Sequence, residues 1–116
     1  MDRKVILYKN ANGKCLFEDF VFSLPPKVQK KITMNVQFLR ETLILKEPYF
    51  KKLVNTSGIW EGRIHAGSDI FRYFFFFDDG NIVVLTHGFQ KKTQKTPQNE
   101  IERAEEIKRD YLKRKK

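Results

Sequence analysis

Apolar side chains keep a helical period at both ends of the chain and a strand period in the middle. Val5 to Tyr8 reads as a short strand, followed by the turn residues Asn10-Ala11-Asn12-Gly13. Leu16, Phe17, Phe20 and Val21 then recur at near-helical spacing and predict a helix over Cys15–Phe22. Ser23-Leu24-Pro25-Pro26 ends it, because a proline disfavours helix in the residue before it. A second helix is expected from Pro26, where the missing N–H would have had no partner in any case. Its apolar stripe is Val28, Ile32, Val36, Leu39 and Leu43, with Lys27, Lys30, Lys31, Gln37 and Arg40 on the remaining surface. The pattern stops before Pro48, and Tyr49 to Gly58 reads as a connection anchored in the core by Leu53 and Val54.

The period then drops to two. Ile59–His65, Ile70–Phe77 and Ile82–His87 are three strand candidates, separated by Ala66-Gly67-Ser68-Asp69 and Asp78-Asp79-Gly80-Asn81. Such short connections imply antiparallel neighbours. Ile70–Phe77 is apolar on both faces apart from Arg72, so it is expected at the centre of a covered sheet. Gly88 to Thr96 reads as a basic loop. Thr96 as N-cap and Pro97 at the first helical position open a last helix, whose apolar face is Ile101, Ala104, Ile107, Tyr111 and Leu112. Early Glu100 and Glu102 and the terminal Lys113-Arg114-Lys115-Lys116 suit the helix dipole. The expected class is α+β: a curved, antiparallel-rich sheet with two N-terminal helices packed on one face and a C-terminal helix, the helices sharing one side of the sheet.

Composition narrows this picture. The 116 residues fit one domain, residues 1–116, and 41% hydrophobic with 14% aromatic content supplies one real core. The charge balance is 23 Lys+Arg against 14 Asp+Glu, a formal +9. That nominates an anionic partner without choosing between nucleic acid, membrane surface and acidic protein. The single Cys15 excludes an intramolecular disulfide and a clustered zinc site, so neither metal nor cofactor is expected. The N-terminus turns polar at Lys9-Asn10, lacking the apolar stretch of a secretory signal, and no run reaches the ~20 apolar residues of a membrane span. A soluble cytoplasmic protein with no membrane partner is the expectation.

Period two also sorts the charges. Trp60, Gly62 and Ile64 point one way, towards the helices; Glu61, Arg63 and His65 point the other. Arg72 is the only charged residue inside Ile70–Phe77, and a guanidinium is costly to bury unless paired. Three readings compete: an ion pair with Glu61, an exposed strand end, or an anion-binding concavity. After the strand bearing His87 comes Gln90-Lys91-Lys92-Thr93-Gln94-Lys95. If this segment folds over the open face, cations converge there as phosphate binding requires. Phe89 and Phe74 could then stack on bases, although most phenylalanines of such a chain are core.

The stretches Gly58-Ile59-Trp60-Glu61-Gly62-Arg63-Ile64, Ile70-Phe71-Arg72-Tyr73-Phe74-Phe75-Phe76 and His87-Gly88-Phe89-Gln90-Lys91-Lys92-Thr93-Gln94-Lys95-Thr96-Pro97, with Glu100, Ile101 and Ala104, resemble the phage-derived HigB-like toxins of the RelE superfamily. The similarity covers nearly the whole chain and is densest from Leu53 to Tyr111. It implies a toxin of a type II toxin–antitoxin system that cleaves mRNA on the ribosome. It also implies a helix-turn-helix, HigA-like antitoxin and a heterotetramer with it. Carried over residue by residue, it assigns catalysis to Arg72, Arg63, Lys92 and His87, and phosphate or RNA binding to Lys91, Lys95 and Phe89. Glu61 departs from the basic residue that some RelE relatives place there.

The reaction implied is metal-independent: a 2′-hydroxyl attacks its own 3′-phosphate, leaving a 2′,3′-cyclic phosphate and a 5′-hydroxyl. It needs a base, an acid and cations for the developing charge. Arg72 and Arg63 meet the scissile phosphate; His87 or a lysine of depressed pKa handles protons. Two other classes fit the residues. One is a non-enzymatic toxin that poisons DNA gyrase by binding it; the other is a basic RNA-binding module without catalysis. Codon-phased mRNA cuts after induction would single out the nuclease.

Overall fold

A computed structural model describes residues 2–115. The chain runs β1 (Lys4–Leu7), α1 (Leu16–Phe22), α2 (Pro26–Glu41), β2 (Phe50–Lys52), β3 (Trp60–Ala66), β4 (Asp69–Asp78), β5 (Ile82–Lys91) and α3 (Gln98–Arg114). The five strands form one open sheet in the order β1-β5-β4-β3-β2. The run of apolar residues on both faces of β4 explains its central place: Phe74, Phe75 and Phe76 have no exposed surface. Burial of each such side chain contributes roughly 1.5–3 kcal/mol. β2, β3, β4 and β5 are antiparallel neighbours, and β1 joins β5 in parallel, making the sheet mixed. Among the described residues no helix is long and apolar enough to cross a membrane.

The helices do not share one side of the sheet. α1 and α2 pack on the odd-numbered side chains of β4, where Phe71, Tyr73 and Phe75 meet Phe17, Val21, Ile32 and Leu39. α3 packs on the opposite face, where Ala104 and Ile107 meet Phe74, Phe76 and Val84. The doubly apolar β4 dictates this, since helices on one face would leave Phe74 and Phe76 in water.

Other boundaries moved for local reasons. β5 continues four residues beyond His87, to Lys91, because the first half of β4 needs a ladder partner: Ile70 pairs with Lys91, Arg72 with Phe89 and Tyr73 with Gly88. Gly88 allows this, since a Cβ there would lie 2.4 Å from the Phe20 ring of α1. Part of the expected connection is the short strand β2, which buries Phe50, while Val54 is 80% exposed and not a core anchor. Leu43 lies beyond the end of α2 and is exposed. Pro97 takes the cap position of α3 in extended backbone, one residue later than expected, which frees the Thr96 side chain for another role.

Tyr73 ties the α2 face together. Its hydroxyl donates to Asn35 Oδ1 (2.6 Å), and Asn35 Nδ2 donates to the Arg63 carbonyl on β3 (3.2 Å). The Tyr73 ring lies over Gly62, where a Cβ would come within 2.3 Å of it. Gly62→Ala is therefore expected to cost about 1–3 kcal/mol, the scale of overpacking a filled core. A urea titration checks this: the midpoint should fall at constant slope, and an unmoved midpoint would contradict the packing described.

Candidate functional site

β-sheet register brings the predicted cations into rows on the α3 side of the sheet. Arg63 lies directly across from Arg72, and Arg72 across from Phe89. One row away, Lys51 lies across from Glu61, and Glu61 from Phe74. On the other side of the arginine row, Ile70 lies across from Lys91. Two like charges directly opposite on neighbouring strands repel. The pair is tolerable because Glu61 stands diagonally between them.

Glu61 is 1% exposed, and its carboxylate is the hub of the face. Oε2 accepts from Arg63 Nε (3.1 Å) and lies 3.1 Å from Arg63 Nη2. Oε1 accepts from Thr96 Oγ1 (3.1 Å) and lies 3.6 Å from Arg72 Nε. Arg63 also donates Nη1 to Glu47 Oε1 (2.9 Å). Of the competing sequence readings, the ion pair of Arg72 with Glu61 is therefore present, inside a larger cluster. Around it four cations (Lys51, Arg63, Arg72 and Lys91) face two carboxylates (Glu47 and Glu61), leaving the surface positive.

Arg72 is itself buried, and its charge is under-compensated. Nη1 donates to the Phe71 carbonyl (3.1 Å), but Nε is a buried donor with no hydrogen-bond partner, alone in this among the described residues. Burial pulls its pKa down, Glu61 opposes that, and Arg63 adds to it; a guanidinium nevertheless keeps its proton. Lys91, half-buried at the end of β5, is also pushed down, first by desolvation and then by the charge of Arg72, with Glu61 opposing and Arg63 and Lys51 adding. An ammonium in that setting gives up its proton more readily than a solvated one.

The other predicted residues divide. Phe89 is buried against Phe74 (ring centroids 5.3 Å apart) and forms floor beside Arg72 rather than a stacking platform. Lys92 and Lys95 are exposed in the segment leading to α3, which Thr96 fastens to Glu61. His87 is not with the cations. A bulge in the ladder between Tyr73 and Phe75 reverses the alternation of β5 and turns His87 under α3. There it is 2% exposed, Nε2 contacts Glu100 Oε1 at 3.0 Å, Nδ1 contacts Thr86 Oγ1 at 3.2 Å, and the ring meets Phe74 edge-on. Burial lowers its pKa, with Glu100 opposing and Arg103 adding.

Lys51, Thr96 and Glu47 are the members that sequence reasoning missed; Glu47 lies in the turn before Pro48, which carries no period. Lys51 sits on a strand of three residues, too short for alternation to register, and Thr96 read as a helix cap. Among the described residues no three His, Cys, Asp or Glu side chains gather into a metal-ligand set. A groove of about 370 Å³ between α2 and β3 is lined by Met34, Phe38, Tyr49 and Ile64 and touches the cationic cluster through Arg63. The cations themselves run from the exposed Lys51 through the half-buried Arg63 and Lys91 to the buried Arg72, a set of charges suited to a polyanion.

Two predictions follow from this geometry. Glu61→Ala strands two guanidiniums without their shared carboxylate and should cost about 3–5 kcal/mol, the scale of breaking a buried ion pair; chemical denaturation reads it, and a loss below 1 kcal/mol would remove Glu61 from the centre of the cluster. For His87 the folded pKa lies below the unfolded value, so the unfolded chain binds the proton first and stability falls as pH drops below about 6.5. A His87→Gln variant should show a shallower loss between pH 7 and 5 in thermal melts; the same slope as the parent would contradict the assignment.

No curated protein matches the chain. A family model does: the one described as phage derived protein Gp49-like matches residues 19–109. That span takes in every residue of the cationic cluster and the flanking helix α3 as far as Arg109. The chain belongs to the Gp49-like family of phage-derived proteins.

Proposed function

We propose that this protein is the toxin of a type II toxin–antitoxin pair and that it stops translation by cutting mRNA on the ribosome, without a metal. The Gp49-like family lies within the RelE/HigB-like toxin superfamily, which supports the toxin reading. The observation that carries the chemistry is Arg72: a nearly buried guanidinium with an unpartnered Nε, set beside the half-buried Arg63 and Lys91 and the exposed Lys51 on the α3 side of the sheet. A phosphate oxygen supplies what that donor lacks, a charge-assisted hydrogen bond.

The reaction follows from the residues. The ribose 2′-oxygen attacks the adjacent phosphorus, the P–O5′ bond breaks, and a 2′,3′-cyclic phosphate and a 5′-hydroxyl remain. Arg72, braced by Arg63, stabilises the charge that grows on the non-bridging oxygens. Lys91, depressed by burial and by its cationic neighbours, accepts the 2′-hydroxyl proton as a free amine. Lys92, at the exit of the strand, donates to the leaving 5′-oxygen. His87 has no part in these steps, being held under α3 by Glu100. Lys51 and Lys95 hold flanking phosphates of mRNA or ribosomal RNA. A helix-turn-helix antitoxin completes the system, as a heterotetramer; the exposed Lys27, Lys30, Lys31 and Arg40 on α2 suit an acidic segment of it.

The decisive experiment is cleavage of ribosome-bound mRNA by purified, folded variants. Arg72→Ala should lose about 10²–10³-fold in rate, the scale of removing one oxyanion donor. Lys91→Arg should bind the ribosome as the parent does and cut poorly, because arginine cannot accept the proton. Full cleavage by Arg72→Ala would overturn the assignment. Growth arrest with DNA damage and no mRNA cuts would point to gyrase instead.

A further inference from the structure

Thr96 and Arg72 meet at one oxygen. Glu61 Oε2 is engaged by Arg63, so the carboxylate is held in place with Oε1 turned towards Arg72 and Thr96. The Thr96 hydroxyl holds Oε1 at hydrogen-bond distance, 3.1 Å, while Arg72 Nε stands off at 3.6 Å, within ion-pair range but with no hydrogen-bond partner. A buried guanidinium N–H left open beside a carboxylate is unusual, because the ion pair would normally close on it. Here a neutral donor is the nearer of the two groups on that oxygen. Thr96 does so because Pro97, rather than Thr96, stands at the cap of α3.

We propose that Thr96 is a positioning residue: its hydroxyl holds Glu61 Oε1 off Arg72 and so keeps one guanidinium donor open for a phosphate of the RNA. The inference rests on the reading of this face as a phosphate-binding surface. Glu61 otherwise acts in two ways at once. It anchors both arginines, and it competes with any incoming anion for them. The threonine hydroxyl satisfies the spare carboxylate oxygen without adding charge, so Arg72 is oriented by Glu61 without being quenched by it. Without the hydroxyl, Oε1 turns to Arg72 Nε and a phosphate must displace it.

The test uses the full chain and a short RNA whose 2′-hydroxyls are methylated, so that binding is read without cleavage. Thr96→Val should weaken binding about tenfold, the scale of one hydrogen bond to a charged group, and Thr96→Ser should restore it. In the RNA-free protein, the Arg72 Nε–H resonance should move towards a hydrogen-bonded position in Thr96→Val alone. Because Thr96 also fastens the segment carrying Lys92 and Lys95, the comparison is repeated in a Lys92→Ala/Lys95→Ala background. The same fold-loss is expected there, and its disappearance would overturn the proposal. Unchanged or tighter binding by Thr96→Val, or an unmoved Arg72 resonance, would overturn it as well. If Arg72→Ala abolishes binding and Thr96→Val leaves it intact, the phosphate face stands and only the role of Thr96 falls. If the parent binds this RNA neither free nor on the ribosome, both fall.

Discussion

A carboxylate almost wholly removed from water sets the terms for this protein. An isolated Glu61 at that depth would cost several kcal/mol as an ion and would take up a proton instead. It stays compatible with the fold because two guanidiniums and a hydroxyl surround it. The converse holds for the arginines, which face each other across β3 and β4 and would repel without it. Neither sign of charge is stable here alone. The cluster is thus a condition of strand pairing at this point as well as a feature of the surface.

The sheet meets that condition because its two faces do different work. Towards α1 and α2 it is a filled aromatic core, closed by Tyr73 lying on Gly62 and hydrogen-bonded to Asn35. The Asn35 amide then reaches the carbonyl of Arg63, so the same network that fills the core fixes the backbone from which a site arginine projects. Towards α3 the face is divided. Phe74, Phe76 and Val84 are covered by the helix, and the row of Arg63 and Arg72 lies beyond them, Arg63 partly exposed and Arg72 buried. The bulge opposite Phe74 lets β5 serve both halves, turning His87 into the covered part and carrying Phe89 and Lys91 on to the other.

Much of this was legible in the sequence wherever alternation was long enough to read. The central place of β4, the facing of Glu61 and Arg63 away from the first two helices, and the start of α2 at Pro26 all follow from pattern and proline chemistry. What escaped has identifiable causes. The resemblance placed His87 with the cations; the bulge does bring it to the α3 side, but α3 covers it there with Glu100, which no local pattern announces. Three residues carry no period, so Lys51 read as part of a connection. Side of packing is a property of the whole sheet, and local pattern in α3 gives its apolar face without saying which layer receives it. Thr96 followed by Pro97 resembles a helix start so closely that the alternative, a hydroxyl turned to a buried carboxylate, has no separate signature.

These misses concern the same feature, the cost of burying charge. Sequence pattern assigns residues to faces, but it does not say how a buried charge is compensated. Here the compensation is incomplete on one atom: both oxygens of Glu61 accept a hydrogen bond, while Arg72 Nε makes none. A structure that needed only stability would close that pair, since a satisfied buried donor is worth about 1–3 kcal/mol over an orphaned one. Arg63 shows that the local geometry permits closure, because it meets the same carboxylate with two nitrogens at 3.1 Å. The difference between the two arginines is therefore a matter of which oxygen each faces and what else holds it. An open donor on the more deeply buried of the two is where an incoming anion gains most, because the low-dielectric surroundings strengthen a charge-assisted bond that water would weaken. Stability withheld at one nitrogen thus becomes affinity reserved for a ligand.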